Sequence, residues 1–481
     1  MRLNGLAPLP IVSRYDSLFL MNPSPTPTAA GPRLYTTENI SYTKSGLLML
    51  SFWLLWGDFA FNFFESVFGR FLPIYLKDLQ ASNTLIGVMG GSFAGLVNVL
   101  FLPVISRWSD DLRTSIGRRI PLLYVITPLT VGAVVAVGFA PEIGNWMFDH
   151  TSVHLPASVT KVGMILGLMC ALTVSFHFFN MVLCNAYNWL IRDVVPLEVM
   201  SRFLAWFSIV GGVSGTLFLW FVFPHLMTHR KWIFLCVGVF YLLAFFLMCY
   251  KVKEGKYPPP TPLEDRPGIL KTYVVYFREC LQIPLYRNFF IVSLLVTAAM
   301  NCAGNFTTLF ASETLGLDME KMGHIFAWTG VVSLVFLYPI GWLCDRFSPM
   351  HVTLGSIICM CLGTSLAPVL IHSETGLLVY SLVFSFPAMA WYLSQRAASM
   401  KLFPLEKFGQ FSGGLNVFSC GALIVGNILI GLLMDLTHSN YRMAFLWTAV
   451  ISAIATWPMI LVIRGWKQHG GHDNYEAPLP D

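Results

Sequence analysis

The chain has 481 residues, of which 56% are hydrophobic and only 11% charged, with a mean hydropathy of +0.65 and a net charge of +5. Ordinary soluble domains carry about 25% charged residues, so this composition excludes a water-covered surface and requires one that faces lipid. The small positive balance gives no reason to expect a nucleic-acid partner. The ten cysteines lack metal-ligand spacing and read as buried thiols, so no metal or other cofactor is expected.

Residues 1–45, with "MNPSPTPTAAGPR" among them, are rich in proline and small polar residues and predict a disordered cytoplasmic arm. The arm lacks the continuous apolar region and small-residue cleavage site of a signal peptide. From residue 46 the chain becomes a series of apolar stretches, each long enough to cross a hydrocarbon core of ~30 Å. Twelve spans are predicted, at 46–76, 85–105, 119–140, 160–190, 201–225, 231–251, 288–312, 322–343, 351–371, 376–400, 408–435 and 442–465. In lipid, unpaired backbone is costly enough that each must be helical.

The lysines and arginines set the orientation. With the N-terminus inside, only seven of the 30 fall outside: Arg70, Lys77, Lys161, Arg230, Lys231, Lys321 and Arg442. This bias predicts both termini in the cytoplasm of a multi-pass protein of the cell (inner or plasma) membrane. A charged, proline-bearing linker, 253–286, separates a six-helix bundle at 46–252 from a second at 287–466, and 467–481 form a cytoplasmic tail. Part of the linker can form an amphipathic surface helix. The halves echo each other: "VVPLEVMSRF" (194–203) matches "LFPLEKFGQF" (402–411), and "SRWSDD" (106–111) stands where "GWLCDR" (341–346) does. A duplicated six-helix unit is the organisation of many secondary transporters.

Polarity concentrates on spans 1, 4, 7 and 10, whereas spans 3, 6, 9 and 12 carry little beyond hydroxyls and indoles and are expected to face lipid. Asp58, Asn62 and Glu65 form one stripe on span 1; His177, Asn180, Cys184 and Asn188 form one on span 4. Thr297, Asn301, Asn305 and Thr308 do so on span 7, and span 10 offers Trp391, Tyr392, Gln395 and Arg396. Ionisable groups at a helix centre cost about 2.5–3.5 kcal/mol each, so the stripes predict four helices around an aqueous cavity. Asp58 lies roughly 18 Å along span 1, close to midplane, and is the first candidate for substrate binding or proton coupling, with Glu65 second for coupling. Asn62, His177, Asn180, Asn301, Asn305 and Gln395 are candidate hydrogen-bonding ligands, and Trp391 or Tyr392 a stacking face. Gly91 with Gly95, and Gly211 with Gly215, have the spacing of close helix packing.

The stretch "SDDLRTSIGRRIP", 109–121, falls in the cytoplasmic loop between spans 2 and 3. It predicts a gate in which Asp110 or Asp111 either accepts from a helix N-terminus of the other half or pairs with Arg118 and Arg119. Asp345 and Arg346 form the weaker copy in the second half.

An acidic–basic loop after span 2 with a weaker copy after span 8 resembles the signature of the major facilitator superfamily, over about 46–466. The finer pattern of Ser109, Asp110, Gly117, Arg118, Arg119 and Pro121 resembles the glycoside–pentoside–hexuronide:cation symporters and sucrose-transporter-like proteins. That resemblance implies an all-α fold of two pseudo-symmetric six-helix halves, a sugar or glycoside as substrate, and sugar binding at Asp58. Positions that hold cation-binding aspartates in melibiose-type symporters read Asn98 and Leu102, and the second sugar-binding aspartate reads Asn180. A sodium site of that design is therefore not expected; proton coupling through Asp58 or Glu65 is, or else no coupling at all.

These readings converge on a monomeric secondary transporter for a small polar organic solute, working by alternating access. A lipid, peptide or amphiphilic drug-like cargo is the alternative within transport, and a non-transporting nutrient sensor the alternative outside it. An enzyme is not expected, since HExxH, GxSxG and P-loop motifs are missing.

Overall fold

The structure, a computed structural model, describes residues 35–37, 40–151, 156, 159–255, 257, 278–472 and 474–479, without the side chain of Leu405. Residues 1–34 and most of the expected linker helix lie outside the described residues. The expectation of an unstructured arm up to residue 45 does not hold at its end. Strand β1 (Tyr35–Thr36) pairs antiparallel with β2 (Ser41–Tyr42), directly before the first span.

Among the described residues, twelve helices are long and apolar enough to cross a membrane: Lys44–Asp78, Asn83–Asp111, Ile120–Gly138, Lys161–Val194, Leu197–Phe221, Arg230–Lys251, Pro284–Thr314, Met319–Phe347, Pro349–Leu370, Glu374–Leu402, Phe408–Leu436 and Met443–Gln468. They are spans 1 to 12 below. Their starts follow from local chemistry. Thr43, Thr160, Asp318 and Ser373 each accept from a backbone N–H in the first turn of spans 1, 4, 8 and 10. A short helix the hydropathy does not single out, Ala140–Thr151, follows span 3.

The halves are built alike. Within the first, span 1 packs on spans 5 and 6, span 2 on span 4, and span 3 on spans 4 and 6. Within the second, span 7 packs on 11 and 12, span 8 on 10, and span 9 on 10 and 12. Each pairing recurs six spans later. The halves meet through spans 2 with 11 and 5 with 8, again a symmetric pair.

The side on which both chain ends lie is called proximal below, and the other distal. Contact between the halves is concentrated distally. Asp435, near the distal end of span 11, takes the first two N–H groups of span 2, Asn83 N at 2.8 Å and Thr84 N at 2.9 Å. It also accepts from Thr84 Oγ1 (2.6 Å) and Asn83 Nδ2 (2.9 Å). Tyr441 donates to Asn83 Oδ1 at 3.0 Å, and Lys77 to Ser439 at 3.3 Å. A carboxylate from one half thus caps a helix of the other, where the macrodipole favours negative charge.

Close approach of spans 2 and 11 needs small residues. A Cβ on Gly87 would stand 2.3 Å from the Asn427 carbonyl oxygen, and one on Gly91 2.3 Å from Asn427 Nδ2. Span 5 meets span 8 where Gly323 lies against the Leu219 carbonyl and Gly330 against Thr216. Among the described residues, the hydrogen bonds joining the halves lie on the distal portions of their helices. On the proximal parts of spans 5 and 8, Leu204 and Tyr338 are exposed instead.

Hydrogen bonds to a carboxylate are worth about 1.5–3 kcal/mol each. Replacing Asp435 with alanine is therefore expected to favour the distally open arrangement by at least about tenfold. A cysteine placed at Thr308, in a background without reactive native thiols, checks this. It should label from the distal side with Asp435→Ala and resist labelling without it.

Candidate functional site

Two cavities meet at Glu65. One, of about 380 Å³, lies between the halves and is lined by spans 1, 5 and 7, with Asn62, Glu65, Arg70, Asn305 and Thr308 as its polar groups besides Ser66. The other, of about 360 Å³, lies within the first half between spans 1, 2 and 4. Glu65, Asn98, His177, Asn180 and Asn185 provide its polar lining. Glu65 and Gly69 belong to both, and nothing stands within 4 Å of a Cβ built on Gly69. The missing side chain at Gly69 is part of what keeps the two spaces open.

Asn180 Nδ2 donates to Glu65 Oε1 at 3.3 Å, while Asn180 Oδ1 is buried without a hydrogen-bond partner among the described residues. His177 Nε2 lies 2.8 Å from the Met89 carbonyl oxygen. A carbonyl only accepts, so Nε2 carries the hydrogen and the ring is fixed in that tautomer. Met89 belongs to a π-helical turn, Val88–Ser92, a local irregularity of the kind found at functional sites. On its other side a Cβ at Gly90 would stand 2.5 Å from Asn305 Nδ2. The π turn therefore touches groups of both cavities.

Asp58 occupies neither cavity. It is fully buried, and Asn62 Nδ2 donates to its Oδ1 at 2.8 Å. Its Oδ2 has no hydrogen-bond partner among the described residues and faces Gly211 of span 5. Its side chain points toward span 5. There Gly211 and Gly215 let the two helices close over it. Asp58 holds Asn62, and Asn62 faces the cavity.

The candidates on spans 7 and 10 divide similarly. Asn305 lines the cavity between the halves, whereas Asn301 is exposed away from both cavities. Trp391, 6% exposed, packs in the core of the second half rather than offering a stacking face. Gln395 Nε2 donates to Ser293 at 2.8 Å, and exposed Tyr392 accepts from Arg396 at 2.6 Å. Span 10 contributes no lining residue to either cavity, and span 5 takes a share that the polar stripes do not assign to it.

Arg70 is the residue sequence reasoning places elsewhere, as an outer helix end. It sits at the distal end of the cavity, donates to Thr308 Oγ1 at 3.2 Å and lies 4.5 Å from the Phe326 ring centre. Its signal was available, because Asn62, Ser66 and Arg70 follow i, i+4, i+8.

The proximal loop forms a charged cluster inside the first half. Arg118 pairs with Asp193 at 2.8 Å, and Arg119 with Asp193 at 3.3 Å and with Asp110. Arg119 also donates to Ser109 at 2.5 Å. Glu254, after span 6, accepts from the N–H groups of Arg118, Arg119 and Ile120 at 2.9, 2.8 and 2.6 Å and so caps span 3. Tyr257 lies beneath Arg118, 4.0 Å from ring centre to guanidinium, and burial pushes its phenol up, with Glu254 adding to the effect. Of the two expected arrangements of Asp110, the arginine pairing is the one seen here, and it ties spans 2, 3 and 4 of one half. Capping across the halves comes from Asp435 on the distal side. Asp111 ends span 2, and Asp345 and Arg346 are exposed, with Arg346 over the Trp342 and Phe347 rings.

The family model described as Major Facilitator Superfamily matches residues 54–413 and 289–474. No curated protein matches the sequence. Among solved structures, a bacterial homolog of the human lysosomal transporter Spinster, inward-facing and occupied, is similar at 13% identity and TM-score 0.64, over 90% of this chain and 98% of that one. A D-xylose–proton symporter is similar at 13% identity and TM-score 0.62, over 86% and 97%. A bacterial homologue of the iron transporter ferroportin gives 0.63 inward-facing, at 12% identity over 86% and 99%. Its outward-facing state gives 0.55, with the same identity and coverage.

Gly117 is the weak point of the proximal cluster. Its φ of +120° suits glycine, and a Cβ there would stand 2.5 Å from the Glu254 carboxyl carbon. Gly117→Ala is expected to cost about 1–3 kcal/mol and to lower the midpoint of thermal unfolding by several degrees. Ser115→Ala, at an exposed loop position, should leave it unchanged. Equal midpoints for the two variants would remove the cluster from the account of stability.

Proposed function

Because the chain belongs to the Major Facilitator Superfamily, a family of transporters whose twelve spans cross a lipid bilayer, we propose that it is a secondary active transporter. In this reading it moves a small polar organic solute of the sugar or glycoside class by alternating access. The solute sits in the cavity between spans 1, 5 and 7. The chain is a monomer in the cell membrane with both termini cytoplasmic, so the proximal opening faces the cytoplasm and the arrangement is inward-facing.

One observation carries the proposal: a polar cavity lies between two like halves whose mutual hydrogen bonds, among the described residues, gather toward the distal side. Rocking about that contact exposes the cavity to one side at a time. Protons are the proposed coupling ion. Glu65 rather than Asp58 is the carboxyl for them, because it faces both cavities and Asn180 reaches it, while Asp58 is closed off behind Asn62. A carboxyl that binds a proton on one side and releases it on the other links the proton gradient to the occupied cavity.

Reconstituted protein and a panel of labelled glycosides test this. Glu65→Gln is expected to abolish uphill accumulation driven by a proton gradient while retaining counterflow exchange. Asp58→Asn is expected to weaken both together, through Asn62. Uphill accumulation by Glu65→Gln at the parent rate would exclude this carboxyl as the coupling group.

A further inference from the structure

Arg70 brings a guanidinium into the cavity between the halves. No carboxylate lies within 4.0 Å of it among the described residues, whereas Arg118 and Arg119 of the proximal loop each pair with two. Thr308 accepts one of its hydrogens and the Phe326 ring takes part of its charge. The guanidinium carries five N–H groups in a planar fork, so most of that fork remains for something else. Keeping an arginine uncompensated in a low-dielectric interior is costly. Such a cost is met where the missing anion arrives as a ligand.

The position supports this. Arg70 and Thr308 stand at the distal, blind end of the cavity, and the Asp435 cap, Asn83 and Tyr441 close the structure beyond them. A solute entering from the proximal opening reaches Arg70 last. Glu65 stands five residues earlier on the same helix, about 7 Å along its axis, with Asn62 and Asn305 on the same walls.

We propose that Arg70 is the anion-binding residue of the cavity and that the transported solute is a small organic anion. Its carboxylate or phosphate group takes the guanidinium fork and Thr308, and its hydroxyl or ammonium donors, about 7 Å away, reach Glu65 and Asn305. The inference rests on the reading of this cavity as the transport site and narrows the solute class within it. A guanidinium matches both oxyanions bidentately, which a neutral sugar cannot reproduce.

The test uses the full chain in detergent and four probes that share a ring and differ in charge: glucose, glucosamine, glucuronate and glucose 6-phosphate. Lysophosphatidic acid is added to separate a lipid headgroup from a free anion. Thermal stabilisation is expected from one or both free anions and not from glucose or glucosamine. Arg70→Gln should weaken the effect at least about tenfold, whereas Arg70→Lys should retain part of it. Stabilisation by lysophosphatidic acid alone would keep the anion site and make its ligand a lipid. Stabilisation by the neutral or cationic sugar, stabilisation that survives Arg70→Gln, or none from any anion would overturn the proposal. Uptake into liposomes distinguishes the two readings. Uptake of glucose without either anion would remove the anion site and leave transport standing. Anion binding without uptake would do the reverse.

Discussion

The arrangement depends on one carboxylate placed against a helix start. The first N–H groups of any helix have no partner within it, and at the distal end of span 2 these groups lie against the other half of the bundle. Asp435 supplies their acceptor from span 11, and glycines at 87 and 91 let the backbones come close enough for it to reach. Charge, hydrogen bonding and close packing coincide there, so the two halves are held most firmly at their distal ends. The cavity with Glu65 and Arg70 exists because of that geometry.

Alternating access also needs halves that move as units. In the first half the proximal loop answers that need. Asp193 on span 4, Asp110 and Ser109 on span 2, and Glu254 after span 6 all converge on Arg118, Arg119 and the start of span 3. A displacement of one of these helices is carried to the others through ion pairs rather than absorbed in a slack loop. The second half uses a smaller link, Lys407 with Glu279 at 2.9 Å, joining span 11 to the segment before span 7. Lys407 and Gln410 both donate to Glu279 and hold its carboxyl below the usual range.

The fold was legible in the sequence because hydropathy and the echoed loops are local signals repeated along the chain. All twelve spans occur where the apolar runs place them, and the paired packing follows from the duplication. The site was legible as polar stripes but not in direction. A stripe on span 1 shows that Asp58, Asn62 and Glu65 share a face, yet not that the glycines of span 5 close over the first of them. Span 10 is polar for reasons internal to its own half, with Gln395 held by Ser293 and Trp391 buried. Arg70 read as a boundary residue because a cation late in an apolar run is ordinarily at the interface. Span 1, 35 residues and so about 50 Å long, runs on to Asp78, so Arg70 lies past its midpoint but well before its end. The Asp435 cap joins positions more than 350 residues apart and has no local signature at all.

The central claim is that the halves rock about their mutual contact, opening one side as the other closes. Distances between paired spin labels on the reconstituted protein measure it directly. One pair would sit on exposed distal residues, Gln80 and His438, and the other on exposed proximal residues of spans 5 and 8, Leu204 and Tyr338. The account predicts a short distal distance with a long proximal one as the main population, and a second population with the two reversed. The populations should trade against each other as pH changes. Distances that lengthen together, or a single fixed pair under all conditions, would contradict it.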